Sequence, residues 1–206
     1  MKKYIDNSLS YAGYLELIDK LLSERKTTGP NQSEAMVNFT SLNRQRMHRL
    51  DRTVELTDSI REAATRIDRK MIWLIVTEAW CGDAAQNISP IEKIASLNAN
   101  IETRYVLRDE NPELIDQFLT NGARSIPKLI ALDAKTLEIL GMWGARPEAA
   151  QKLFHELKEQ SLPKPEIMER LQRWYNADKT LSLQGEFTKL VNQWGVKPSA
   201  RASSAA

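Results

Sequence analysis

The chain has 206 residues, with 29 Lys and Arg against 27 Asp and Glu, which gives a formal net charge of +2. This length fits one domain with extensions, and so balanced a charge does not argue for nucleic acid as a partner. The longest apolar run, at residues 71–76, is far shorter than the roughly 20 residues that span a membrane. The single cysteine, Cys81, excludes an intrachain disulfide and a cysteine-rich zinc site. No secretory signal is recognisable in residues 1–14, so we expect a cytoplasmic protein.

Residues 1–70 are predicted to form a helical N-terminal extension. Apolar residues recur at spacings of three and four within residues 3–22, and Gly29 and Pro30 then interrupt the pattern. Residues 33–70 contain no Gly or Pro and predict one long helix, or two with a bend. Packing of its apolar face against a core is the favoured interpretation, and binding of a partner helix is the alternative.

Residues 71–160 predict a compact α/β unit. Strands are expected at 71–77, 101–107, 126–132 and 136–142, and helices at 84–97, 112–120 and 147–160. The first strand–helix–strand unit implies parallel neighbours with a right-handed crossover. The last two strands are separated by a short turn and imply an antiparallel hairpin. Together they predict a small mixed sheet flanked by helices, with a kink where Pro90 interrupts the first helix.

A C-terminal helical extension is predicted at residues 161–196. Pro163 and Pro165 form a short, stiff break, and the apolar spacing after it predicts two further helical segments. The tail at 197–206 consists of small and polar residues, so we expect it to be disordered.

Cys81 lies where the first strand gives way to a helix. The free N–H groups and the dipole at a helix N-terminus favour a thiolate and lower its pKa. Gly82 allows a sharp turn of the backbone, and Trp80 could shield one side of the sulfur. The Asp83 carboxylate acts in the opposite direction, and the sequence leaves open which influence dominates.

The segment Trp80-Cys81-Gly82-Asp83-Ala84 resembles the active-site segment Trp-Cys-Gly-Pro-Cys of the thioredoxin family. The resemblance extends over about residues 71–160. Residues 106–112 with 115–119 resemble the family's second strand and following helix, residues 121–127 its segment leading to a cis-proline, and residues 140–145 its last strand and glycine loop. Within that family the sequence resembles bacterial thioredoxin-like proteins with a Trp-Cys-Gly-Asp segment.

The resemblance implies a thioredoxin-like fold and a set of site residues. Cys81 falls on the family's attacking cysteine, and Pro127 on the cis-proline that faces the sulfur. The Ile126 backbone falls where the family pairs with an extended substrate, and Gly144 and Ala145 fall on the loop that borders the groove. The implied substrate-binding residues are Trp80, Gly82, Asp83, Ile126, Pro127, Gly144 and Ala145.

The sequence also departs from the family pattern. Ala84 replaces the resolving cysteine, so a mixed disulfide on Cys81 would need an outside thiol to release it. Asp83 replaces the proline between the cysteines, and Ile75 replaces a buried acid on the preceding strand. Glu78 could stand in for that acid only if it points inward.

Three functions are considered. The first is monothiol thiol–disulfide exchange through Cys81, without a cofactor, on a protein disulfide or a low-molecular-weight thiol of the glutathione or bacillithiol type. The second is a non-catalytic binding module that holds an extended peptide beside Pro127. Its helical extensions would recruit a partner or form a dimer, and Cys81 would serve only in packing. The third, an iron–sulfur or metal site shared between subunits, is disfavoured because the Cys-Gly-Phe-Ser segment of monothiol glutaredoxins is missing. The reactivity of Cys81 distinguishes the first from the second.

The remaining conspicuous side chains have structural interpretations. His48 and His155 lie in helical patterns and are expected at the surface. Trp143, Trp174 and Trp194 are expected to pack the extensions onto the central unit.

Overall fold

The computed structural model describes residues 1–196, and the tail at 197–206 lies outside the described residues. The helices are α1 (Lys2–Asp6), α2 (Tyr11–Ser23), α3 (Glu34–Thr53), α4 (Asp58–Thr65), α5 (Gly82–Ala95), α6 (Pro112–Ile115), α7 (Glu148–Glu159), α8 (Lys164–Asp178) and α9 (Leu181–Trp194). The strands are β1 (Met71–Thr77), β2 (Ile101–Leu107), β3 (Lys128–Asp133) and β4 (Ile139–Gly144). None of the helices in this part of the chain is long and apolar enough to cross a bilayer.

The four strands form one mixed sheet in the order β2-β1-β3-β4. Strand β1 pairs in parallel with β2, whereas β3 is antiparallel to both β1 and β4. All seven residues of β1 are buried, as expected of a central strand with β-branched and aliphatic side chains. The predicted small mixed sheet flanked by helices is confirmed.

Several element bounds differ from the prediction. The long segment at 33–70 divides into α3 and α4, because Val54 adopts an extended conformation and ends α3. The helix predicted at 112–120 ends at Ile115, because the N–H groups of Gln117 and Phe118 bond three residues back instead of four. Strand β4 starts at Ile139 instead of residue 136, because the Asp133 side chain accepts two backbone N–H groups and closes a turn.

Strand β3 begins at Lys128, not at residue 126, directly after the Ile126–Pro127 peptide bond. Proline has no N–H to offer to a ladder, so the strand pairing starts beyond Pro127. Helix α5 continues through Pro90, and its middle turns are almost fully buried.

The N-terminal extension packs into the main core. The ring of Tyr14 stacks on Tyr105 of β2 with centroids 5.4 Å apart. Leu9 exchanges backbone hydrogen bonds with Tyr105, which covers the outer edge of β2. Met47 and Leu50 of α3 join the same buried cluster.

The C-terminal extension has two parts with different cores. Helix α9 lies on the sheet, where Phe187 contacts Trp73 and Trp143 with ring centroids 5.5 and 5.4 Å apart. Trp194 lies edge-on to Trp73, so Trp143 and Trp194 pack the extension onto the sheet as predicted. Helices α7 and α8 instead enclose a small separate cluster of Leu157, Ile167, Leu171 and their apolar neighbours.

Candidate functional site

Cys81 caps the N-terminus of α5, directly after β1 and its short connection. Its side chain is 9% exposed, and its sulfur donates a hydrogen bond to the carbonyl oxygen of Ile126 at 3.3 Å. The backbone N–H groups of Asp83 and Ala84 lie on the α5 side of the sulfur and favour its charged form. The sulfur is therefore enclosed between a helix N-terminus and the segment that precedes β3.

Burial decides the protonation of this thiol. It raises the pKa of Cys81 to about 12, and the Asp83 carboxylate adds to the rise. The two N–H groups and the Arg146 guanidinium lower the pKa, but less than burial raises it. In this conformation Cys81 is a protonated thiol at neutral pH.

The two segments predicted to border the groove lie against each other, and one of them contacts the sulfur through Ile126. The Ile126–Pro127 peptide bond is cis, which confirms the cis-proline implied by the resemblance. The Gly144–Ala145 bond at the end of β4 is also cis, and Gly144 has a φ of 119°. Gly144 lies so close to Pro127 that a β-carbon on it would stand 2.1 Å from the Pro127 carbonyl oxygen.

Asp83 is held by residues that the sequence did not point to. Nη2 of Arg146 lies 2.7 Å from Asp83 Oδ2, and both side chains are 11% exposed. The hydroxyl of Tyr175 in α8 donates to Asp83 Oδ1 at 2.8 Å and accepts a hydrogen bond from Asn87 at 3.1 Å. The one signal in the sequence was the position of Arg146, directly after the groove residue Ala145.

Trp80 and Gly82 are each approached by an arginine. The Arg108 guanidinium lies over the Trp80 ring, 4.8 Å from its centroid. Arg46 of α3 donates to Asn43, and its Nη1 would stand 3.8 Å from a β-carbon on Gly82. Two half-buried arginines therefore lie beside Trp80 and Gly82, and Arg108 is paired with Asp109 at 2.7 Å.

Glu78 points inward, and its carboxylate bonds the backbone of Asp109. Its side chain is fully buried, and Oε1 accepts the Asp109 N–H at 2.8 Å. Oε2 has no hydrogen-bond partner within residues 1–196. Burial raises the pKa of this carboxyl group.

The raised pKa of Glu78 makes stability depend on pH, and Glu78→Gln removes that dependence. Stability from a group with a raised pKa is complete below its ordinary pKa of about 4.3 and is lost as pH rises through the raised value. We therefore expect the free energy of unfolding of the wild type, relative to Glu78→Gln, to fall as the pH rises over this range. Urea unfolding of both proteins near pH 4.5 and pH 8 checks this, and a constant difference would contradict it. Glu92, whose pKa is also raised by burial, is present in both proteins and cancels.

Metal-binding residues do not cluster in the described part of the chain. Residues 1–196 contain no group of three or more His, Cys, Asp and Glu side chains that could hold a metal ion. His155 lies at the surface, within hydrogen-bond distance of Gln151 and Asn121.

The sheet order, the cysteine at the start of α5 and the cis-proline before β3 define a thioredoxin-like fold. Residues 29–158 match the model of the family described as thioredoxin, so the chain belongs to the thioredoxin family. The match begins well before Met71 and includes α3 and α4, which the sequence analysis had placed outside the resemblance.

Two solved structures are similar in fold. One is a protein of unknown function, PA1234 from Pseudomonas aeruginosa, with 19% identity and a TM-score of 0.58 over 89% of this chain and 97% of that one. The other is an HIV epitope scaffold, 4E10, with 20% identity and a TM-score of 0.55 over 89% of this chain and 98% of that one. No curated protein matches the chain. The two similar structures show the fold of this chain and do not show its activity.

Proposed function

We propose that the protein carries out monothiol thiol–disulfide exchange through Cys81. The observation that carries the proposal is the position of the sulfur, which lies at the N-terminus of α5 and contacts the Ile126 carbonyl beside the cis-proline. Helix N–H groups stabilise a thiolate there, and an extended substrate next to Pro127 would bring its disulfide to the sulfur.

The exchange takes place in two balanced steps. The Cys81 thiolate forms a bond to one sulfur of a substrate disulfide, the substrate S–S bond breaks, and the departing thiolate takes up the proton that Cys81 lost. The mixed disulfide is then attacked by an external thiol, which forms a new disulfide and regenerates Cys81. An external thiol is required because Cys81 is the only cysteine of the chain and Ala84 replaces the second one. Glutathione, bacillithiol or a partner protein would supply it.

The burial of Cys81 favours a second candidate. A thiol that is 9% exposed and donates its proton to a backbone carbonyl resembles a packed side chain more than an active nucleophile. The alternative function is a non-catalytic binding module that holds an extended peptide beside Pro127.

Alkylation and disulfide capture distinguish the two candidates. We expect oxidised glutathione to add one glutathione to the native protein, detected by mass spectrometry, and added thiol to remove it. The iodoacetamide rate of native Cys81, relative to the same chain unfolded in urea, measures its accessibility. Cys81→Ser is the control for non-covalent glutathione. Absence of an adduct, together with alkylation at least about tenfold slower than in urea, would exclude exchange and leave the binding module.

A further inference from the structure

We propose that Arg146 and Tyr175 are positioning residues for Cys81, which hold and neutralise the Asp83 carboxylate and thereby set the reactivity of the thiol. The proposal rests on the proposed exchange function. It makes helix α8 of the C-terminal extension part of the thiol site. Tyr175 lies beyond residue 158, where the family match ends.

The cluster contacts both oxygens of the Asp83 carboxylate. Each carboxylate oxygen has its own partner, Oδ2 the Arg146 guanidinium at 2.7 Å and Oδ1 the Tyr175 hydroxyl at 2.8 Å. Burial raises the pKa of Tyr175 well above its ordinary value, so its hydroxyl remains a donor at neutral pH. Asn87 donates to the oxygen of that hydroxyl, which leaves the Tyr175 proton for Asp83.

The cluster acts on the sulfur through charge. Asp83 lies two residues after Cys81, and its negative charge opposes formation of the thiolate. The Arg146 charge favours the thiolate. Both charged side chains are nearly buried, where solvent and salt screen them weakly. Neutralising Asp83 therefore removes one of the two influences that hold Cys81 in its protonated form.

Other groups near the site come from elements other than α8. Arg46 of α3 lies on the Gly82 side, and the buried Tyr14 of α2 faces both Cys81 and Glu78. A change at Tyr175 thus reports on Asp83 and not on these groups.

Polar contacts join helix α8 to α5, and one of them provides a matched control. Gln172 of α8, one turn from Tyr175, accepts a hydrogen bond from Gln86 of α5 at 3.0 Å. Its own amide group donates to Asn176 of the same helix at 3.2 Å. Gln172→Ala therefore removes an α8–α5 contact and leaves the Asp83 contacts intact.

The test compares iodoacetamide rates of native Cys81 at one pH near neutrality, where the rate follows the thiolate fraction. We expect about a threefold decrease for Tyr175→Phe, about a tenfold decrease for Arg146→Gln, substantial recovery in Arg146→Lys, and about a tenfold increase for Asp83→Asn. In the Asp83→Asn background, Tyr175→Phe should change the rate by less than about 1.5-fold, because the charge it acts on is absent.

Two results would overturn the proposal. One is an equal effect of Tyr175→Phe with and without the Asp83 charge, and the other is an effect of Gln172→Ala as large as that of Tyr175→Phe. Either would mean that α8 merely covers the sulfur. The iodoacetamide rates report the thiolate fraction of Cys81 in each variant even if no disulfide reacts. Disulfide capture therefore tests the exchange function, and the alkylation rates separately test the effect of Arg146 and Tyr175 on Cys81.

Discussion

Gly144→Ala is expected to lower the free energy of unfolding by about 2–5 kcal/mol. A β-carbon at this position would stand 2.1 Å from the Pro127 carbonyl oxygen and 3.3 Å from the Lys128 α-carbon. Both are backbone atoms of the segment that leads into β3, so no side chain can move aside. The φ of 119° adds strain for any residue with a β-carbon. Urea unfolding followed by tryptophan fluorescence measures the loss.

Substitutions at two other glycines separate the backbone strain from the steric clash in this loss of stability. Gly122 has a φ of 76°, and no neighbouring atom lies within 4 Å of the place that an alanine methyl group would occupy, so Gly122→Ala isolates the backbone strain, about 1 kcal/mol. Gly185 lies within α9 with open space around it, so Gly185→Ala should stabilise the protein by about 0.5–1 kcal/mol. If Gly144→Ala cost no more than Gly122→Ala, the close approach of Gly144 to Pro127 would be disproved.

The sheet could be predicted from local sequence because its signals are local. The continuous apolar run of β1 and the alternation in β2 each specify a strand, and the segment between them has a helical period. The predicted start of β4 and end of α6 were wrong because they depend on hydrogen bonds that hydropathy does not encode. The Asp133 side chain closes a turn before β4, and the tightened turns after Ile115 end α6 early.

Only the candidate site residues that lie in recognisable sequence segments could be predicted. Cys81 and Pro127 were found through a recognisable motif and the resemblance that it carries. Tyr175 reaches Asp83 across 92 residues of sequence, and its aromatic ring fits the apolar periodicity of a helix as well as a functional role. The thiol was placed at a helix N-terminus correctly, but its burial depends on the packing of the whole molecule.

Phe187→Ala is expected to lower the free energy of unfolding by about 3–5 kcal/mol. Phe187 is fully buried and lies between Trp73 of β1 and Trp143 of β4, so its removal leaves a cavity between α9 and the sheet. Trp143 is also tied to α9 by a hydrogen bond to Glu186 at 2.6 Å, which limits how far the helix can move in to fill that cavity. Urea unfolding gives the change in stability, and near-ultraviolet circular dichroism reports on the packing of the two tryptophans.

Leu181→Ala is the matched control on the same helix. Leu181 is 57% exposed, so the substitution should change stability by no more than about 0.5 kcal/mol. A comparably small loss for Phe187→Ala would mean that the Phe187 contacts with the sheet contribute little to stability. A large loss confined to Phe187 would make α9 part of the core, although it lies beyond the family match at residue 158. Helix α8 would then lie, along the chain, between two elements that are fixed to the sheet: α9 and the segment after β4 that carries Arg146. Anchoring on both sides would keep Tyr175 in place beside Asp83.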